Sequence, residues 1–182
     1  YKGSYQPDFI ASFGTNVTYK GWTINALFDM KQGGKYYSRN KDLMDFVGTA
    51  METTTNNRED YVWANSVVEN PDGSFSPNTT PFHQYDYFTA VIPNGQHLID
   101  ASYVKLRELS IGYTFPSKWL AKTPFGSASL GVFGNNLAIW TAEENVYGDP
   151  EQNSSGSSNA QGFDYSSNFS QSNYGVNLKV TF

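Results

Sequence analysis

Few side chains in this sequence have a type and spacing that could do chemistry. His83 and His97 are the only histidines. They lie in one polar stretch with no Cys or acidic residue at metal-ligand spacing, so they read as surface loop histidines rather than a zinc or catalytic pair. Glu143, Glu144, Asp149 and Glu151 gather beside Asn145 and Asn153, and oxygen-rich loops of this kind can hold calcium. Their order is not that of an EF-hand, and a solvated acidic loop is the better expectation. Asp149 and Glu151 could be imagined as the paired carboxylates of a glycosidase, yet nothing on an irregular loop raises the pKa of one above the other. The chain has no Cys, which removes disulfides, zinc–thiolate sites and thiol nucleophiles. No GxSxG, phosphate-loop or dinucleotide fingerprint occurs. The sequence thus predicts no catalytic residue, no metal ligand and no cofactor, and a protein that is not an enzyme.

Aromatic residues in polar stretches offer a second kind of chemistry, stacking on sugar faces or seating a protein lid. The candidates for ligand binding are Tyr36, Tyr37, Trp63, Tyr85, Tyr87 and Tyr147, with Phe82, Phe88, Phe163 and Tyr165 nearby. Residue by residue, packing of the loops against each other is favoured over ligand contact.

What must position these loops is a set of strands. Tyr174, Val176, Leu178, Val180 and Phe182 fall on one face of the last segment, and Gly175, Asn177, Lys179 and Thr181 on the other. A transmembrane β-strand needs this pattern: an apolar lipid side with an aromatic at the interface, and a lumen side free to be polar. Residues 8–19 alternate over a transmembrane length, Lys20-Gly21 closes a tight hairpin, and 22–31 returns. In that return strand Trp22, Ile24, Ala26, Phe28 and Met30 share one face, and Asp29 and Lys31 lie on the other. A Lys near the bilayer midplane would cost about 2–4 kcal/mol, so the phase is set. Further strands are expected at 101–115, 127–140 and 173–182. In 101–115, Leu109, Ile111 and Tyr113 share a parity with Lys105 and Arg107 while Val104 and Leu106 do not, which calls for a β-bulge near Arg107-Glu108 or a rim position for the charges.

Between the strands lie two long stretches, 32–100 and 141–172, each expected as loop. The first carries Leu43, Phe46, Val47, Ala50 and Met51 at helical spacing after Asp42, which predicts a short amphipathic helix. The residues after Pro116 make a compact link with room for one helical turn. Short and long connections alternate, as in outer-membrane barrels with short periplasmic turns and long extracellular loops. Trp22, Tyr113, Trp119 and Phe182 would then form an interfacial girdle at the periplasmic side.

Composition agrees with this reading. Among 182 residues 16% are aromatic and only 16% charged, with a negative mean hydropathy, and no apolar run reaches the roughly 20 residues of a membrane helix. A net charge of −5 without a basic cluster argues against nucleic acid. The start, YKGSYQPDF, lacks a basic n-region and an apolar h-region, so an exported protein would carry this sequence as a mature or internal piece. About five strands cannot close, and unpaired edge N–H and C=O groups are costly in hydrocarbon. The segment should therefore be part of a larger barrel.

The strings YKGWTINALFDMKQGGKYY, YVKLRELSIGYTFPSKWL, LGVFGNNLAIWT, GDPE at Gly148–Glu151 and YGVNLKVTF, in that order, resemble the C-terminal barrel segment of SusC/RagA-type TonB-dependent transporters of Bacteroidetes. The resemblance implies an all-β, antiparallel 22-stranded transmembrane barrel of the outer membrane, of which residues 1–182 would supply the last five strands. The plug domain and the TonB box lie N-terminal to such a segment. It further implies active import of glycans or peptides, with a SusD-like surface lipoprotein, the TonB complex, the barrel assembly machinery, outer-membrane lipid and the rest of the barrel as partners. Tyr174, Val176, Leu178, Val180 and Phe182 would serve as the assembly signal. The alternatives are a passive channel or translocon component sharing this barrel end, and a soluble carbohydrate-binding β-sandwich.

Overall fold

The computed structural model describes residues 2–156, 158, 160–168 and 170–182. Along the chain run β1 (Phe9–Tyr19), β2 (Trp22–Gln32), β3 (Lys35–Ser38), α1 (Arg39–Phe46), β4 (Val67–Glu69), β5 (Phe75–Pro77), α2 (Gln84–Asp86), β6 (Leu98–Asp100), β7 (Tyr103–Thr114), α3 (Ser117–Leu120), β8 (Ser127–Thr141), β9 (Phe163–Asp164) and β10 (Asn173–Thr181). Five of the strands make one antiparallel sheet in the order β1-β2-β7-β8-β10. The hairpin between β1 and β2 takes both residues through the left-handed region, Lys20 at φ 47° and Gly21 at φ 88°. That turn matches the twist of the strands it joins. A Cβ at Gly21 would also stand 2.9 Å from the carbonyl oxygen of Thr114.

The register decides which side chains share a face. On one face Tyr19, Trp22, Tyr113, Leu130 and Leu178 form a row across all five strands, and Val17, Ile24, Ile111, Val132 and Val176 form the next. These residues stand open: Val17 is 54%, Val132 51% and Val176 70% exposed. On the other face Asn16, Asn25 and Ser110 align, and their side chains hydrogen-bond in sequence, Asn25 Nδ2 donating to Ser110 Oγ at 2.9 Å. Ser12 Oγ donates to Asp29 Oδ1 at 2.7 Å two rows along. A β-sandwich would bury the apolar face under a second sheet. Among the described residues no second sheet covers it.

The apolar band has aromatic borders. Trp22 packs on Tyr113 with ring centroids 4.9 Å apart, Tyr113 lies 6.3 Å from Trp119, and Phe182 meets Phe125 at 5.5 Å. At the opposite end Trp140 is 55% exposed beside Val104 and Met30. Trp22 to Met30 spans roughly 26 Å along the strand, close to the about 25 Å apolar band of outer-membrane barrels. Among the described residues no helix is long and apolar enough to cross a membrane.

One irregularity organises the inner face. The pairing of β2 with β7 shifts between Leu27 and Phe28, leaving Arg107 as an extra residue, and the pairing of β7 with β8 shifts at the same place. Val104 and Leu106 before it, and Leu109, Ile111 and Tyr113 after it, therefore reach the same apolar face despite opposite parity. The bulge absorbs one charged residue without turning the strand over. On β8 Asn136 takes φ 52° at this step.

The stretch 32–100 is not one loop. β3 pairs with β6 and β9 in a second sheet, and β4 pairs with β5 in a third. Helix α1 starts at Arg39, where Ser38 Oγ accepts from Lys41 N at 3.2 Å. It ends at Phe46, so Ala50 and Met51 fall outside it. Its apolar stripe is not buried: Phe46 is 51% and Val47 62% exposed. The residue that α1 buries is Asp45, which lies against His97 and Lys41.

Candidate functional site

The inner face and the loop 142–172 meet at a clasp of five charged residues. Arg107, pushed out by the bulge, donates from Nε to Asp29 Oδ2 at 2.6 Å, from Nη1 to Asn136 Oδ1 at 3.2 Å, and from Nη2 to Glu151 Oε1. Lys105 Nζ donates to Asp149 Oδ2 at 2.6 Å and to Glu151 Oε2 at 2.5 Å. Lys105 is 4% exposed. Burial works against ionisation of Glu151, but hydrogen bonds from Arg107 and Lys105 outweigh it and hold the carboxyl down at about 2. Glu151 N in turn donates to Asp149 Oδ1 at 2.9 Å, which bends the Gly-Asp-Pro-Glu stretch into the shape that delivers both carboxylates.

The solvated acidic loop expected from the sequence is thus corrected. Asp149 and Glu151 are fastened to β7 because two cations face them from the strand, and Glu144 Oε1 accepts from Asp100 N at 3.0 Å. Their oxygens are spent on ammonium and guanidinium groups, which leaves little for calcium. Among the described residues no group of three or more His, Cys, Asp or Glu is placed to hold a metal ion.

His97 is a second correction. It is 1% exposed, with Nε2 3.3 Å from Asp45 Oδ2 and Nδ1 3.9 Å from Asp42 Oδ1. The β3–β6 pairing draws it under α1, a tertiary contact that a local reading of a polar loop cannot show. Lys41 reaches Asp45 at 3.4 Å and pairs with Glu52, while Tyr147 donates to Glu52 Oε2 at 3.0 Å. Burial raises the pKa of Asp45 against the pull of Lys41 and His97. In Glu52, burial is overcome by the Lys41 hydrogen bond and the pKa falls. His83 is exposed.

The aromatic candidates separate into groups. Tyr36 is 3% exposed and donates to Asn145 Oδ1 at 2.9 Å. Tyr37 donates to Asp42 Oδ2 at 2.7 Å, with its ring beside Phe163 and Tyr165. Tyr147 carries Lys41 Nζ 5.0 Å from its ring centroid. These three tie the loop cap to itself. Trp63 stacks with Tyr61 and Phe82, and Tyr87 packs on the same group at 5.2 Å from Trp63. Tyr85 stands apart, 63% exposed. The sequence reading passed over Lys105, Arg107 and Asp29 as partners of the acidic loop. The odd parity of Arg107 in β7 was the available signal.

No family model matches the chain. It is 28% identical to TonB-dependent receptor P3 of Formosa agariphila over 184 aligned positions, covering 97% of this chain and 17% of that protein. TonB-dependent receptor P26 of the same organism is 23% identical over 99% of the chain. The chain spans about a sixth of the length of these relatives. The RagAB peptide importer in its closed-closed state has the same fold over 99% of the chain, with a TM-score of 0.66 at 17% identity, and covers 18% of that chain. Its open-open state gives a TM-score of 0.61 at 18% identity. In sequence this chain resembles a segment of TonB-dependent receptors, and in fold a segment of the RagAB importer.

Proposed function

We propose that residues 1–182 are the last five strands of a 22-stranded outer-membrane barrel whose whole chain actively imports glycans or peptides. The observation that carries this reading is the five-stranded sheet itself. Its outer face is apolar and open from edge to edge, and its inner face is a hydrogen-bonded polar surface with the loops fastened over one end. On this reading residues 32–100 and 141–172 are extracellular and Lys20-Gly21 periplasmic. Edge strands β1 and β10 pair with strands from elsewhere in the barrel, since open edges are not viable in hydrocarbon. A SusD-like lipoprotein lids the loops, and the TonB complex supplies energy through an N-terminal plug. None of the residues above has a catalytic role in this scheme.

The test is uptake by cells carrying the full-length protein. Deleting its TonB box should abolish accumulation of a labelled oligosaccharide or peptide while surface binding persists. Accumulation that survives the deletion, or an open barrel without a plug, would make it a passive channel. Tyr174, Val176, Leu178, Val180 and Phe182 are proposed to present the strand to the assembly machinery. Phe182→Ser should then lower the amount of heat-modifiable folded barrel in outer membranes several-fold, and unchanged insertion would remove that role.

A further inference from the structure

Between α1, the end of β8 and the loop 142–172 lies a cavity of about 320 Å³, at the lower end of the range of about 300–1,000 Å³ in which ligand pockets fall. Asn40, Asn145, Gly148 and Asp164 line it together with Ile139 and Thr141 of β8. Ile139 pairs with Lys105 and Thr141 with Tyr103, so both stand in inner-face rows beside the clasp.

Its polar atoms keep hydrogen-bonding capacity that the fold does not use. Asp164 is 3% exposed, and its Oδ1 accepts from Ser167 N at 2.9 Å, but its Oδ2 meets only Asn40 Nδ2 at 3.4 Å. Among the described residues no Lys, Arg or His reaches this carboxylate, and a buried carboxylate without full partners is costly. Asn40 Nδ2 has one other acceptor, Tyr147 O, also at 3.4 Å. Both contacts are longer than the roughly 2.9–3.0 Å of a good N–H···O bond. Asn145 uses Oδ1 to accept from Tyr36 and from Tyr147 N, while its buried Nδ2 has no partner among the described residues. Gly148 shows where the first two atoms point. Outside its chain neighbours, a Cβ added there would meet first Asn40 Nδ2 at 3.7 Å and Asp164 Oδ2 at 3.8 Å. The space before Gly148 is open, and a donor and an acceptor face it side by side.

We propose that this cavity is a subsite for a neutral sugar ring of the transported solute, with Asn40 and Asp164 as its hydrogen-bonding pair. The proposal rests on the importer reading above and chooses between its two solute classes. A hydroxyl answers both atoms at once, accepting from Asn40 Nδ2 and donating a charge-assisted bond to Asp164 Oδ2. An ammonium would set a cation against the N–H groups of Asn40 and Asn145, and a carboxylate would face Asp164. A trans peptide unit points its N–H and C=O in opposite directions, so two atoms 3.4 Å apart cannot engage both. Ile139, 39% exposed, offers an aliphatic wall to the C–H face of the ring.

The experiment is calorimetric titration of the full-length protein with its lipoprotein partner, using maltotriose, laminaritriose and mannotriose as neutral sugars and tetraalanine as the peptide. At least one trisaccharide should bind. Gly148→Val, which fills the space before Asn40 and Asp164 from a residue outside the left-handed region, should weaken that binding about tenfold or more. Asp164→Asn, which keeps an acceptor for Ser167 N, should weaken it about tenfold. Should Gly148→Val not assemble, Gly148→Ala, whose methyl makes only ordinary contacts, should still weaken it about threefold. Failure of all three sugars to bind, affinities unchanged by the Gly148 and Asp164 variants, or tetraalanine binding with the same dependence on Gly148 would overturn the subsite. TonB-dependent uptake with sugar affinity indifferent to Gly148 leaves the importer reading standing while removing the subsite. Sugar binding lost in Gly148→Val, with uptake that survives deletion of the TonB box, does the reverse.

Discussion

Two charge clusters in this chain treat their carboxylates in opposite ways. In the clasp, Lys105 and Arg107 between them touch all three carboxylates of Asp29, Asp149 and Glu151, and Glu151 is held ionised well below the usual carboxylate range. In the loop cap, Asp45 is 1% exposed, and burial pushes its carboxyl toward the protonated form even with Lys41 and His97 close by. A buried carboxylate can be stabilised by partners or can shed its charge. The clasp takes the first course because a rigid strand presents its cations. In the cap the balance is tilted toward protonation, because Lys41 is shared with Glu52 and Tyr147.

The contrast breaks most easily at Lys105. Lys105→Met leaves Asp149, whose side chain is 6% exposed, without its cation. The expected cost is about 3–5 kcal/mol, borne by the loop. Hydrogen exchange of residues 145–165 in the full-length barrel should rise sharply while the five strands stay protected, and unchanged exchange would show that the clasp does not hold the loop. Lys41→Met should cost less, about 1–2 kcal/mol, because Asp45 can take up a proton rather than remain a bare charge. Equal losses at the two lysines would erase the distinction between the clusters.

Acidification should separate them in sign. Glu151 has its pKa lowered in the folded state, so its contribution is complete above its ordinary value of 4.5 and disappears as pH falls toward about 2. Asp45 has its pKa raised, so its penalty is present at neutral pH and is relieved as pH falls. Glu52 and Asp42 in the cap, both shifted downward, oppose that relief. Between pH 6 and 3, exchange corrected for intrinsic rates should therefore rise more in residues 145–165 than in residues 36–55. The smallest effect is Asp45→Asn, expected to change stability by less than about 1 kcal/mol because the residue is already biased toward neutrality. A large loss on that substitution would mean that Asp45 carries its charge in the folded protein.

Alternation made β2 and β10 legible residue by residue, because placing Asp29, Lys31 or Lys179 in lipid is too costly for the phase to slip. The Lys20-Gly21 turn was legible for the same kind of local reason. In β7 the sequence showed a conflict of parity, and the register placed the extra residue at Arg107 and gave it three partners. The loops were the opaque part. Nothing near His97 in sequence announces that α1 will cover it, and nothing in Gly148–Glu151 names Lys105 as the cation that awaits it.

What the sequence determined by itself is the pattern that burial and lipid enforce at each position: which segments are strands, which face of each is apolar, where the short turns lie. These follow from a period of two and from the local cost of a misplaced charge. Only the tertiary structure decided that the bulge aims Arg107 at Asp29 and Glu151, and that His97 and Asp45 share a buried site. Those outcomes depend on contacts between residues far apart in the chain, where spacing carries no information until the register of the sheet brings them together.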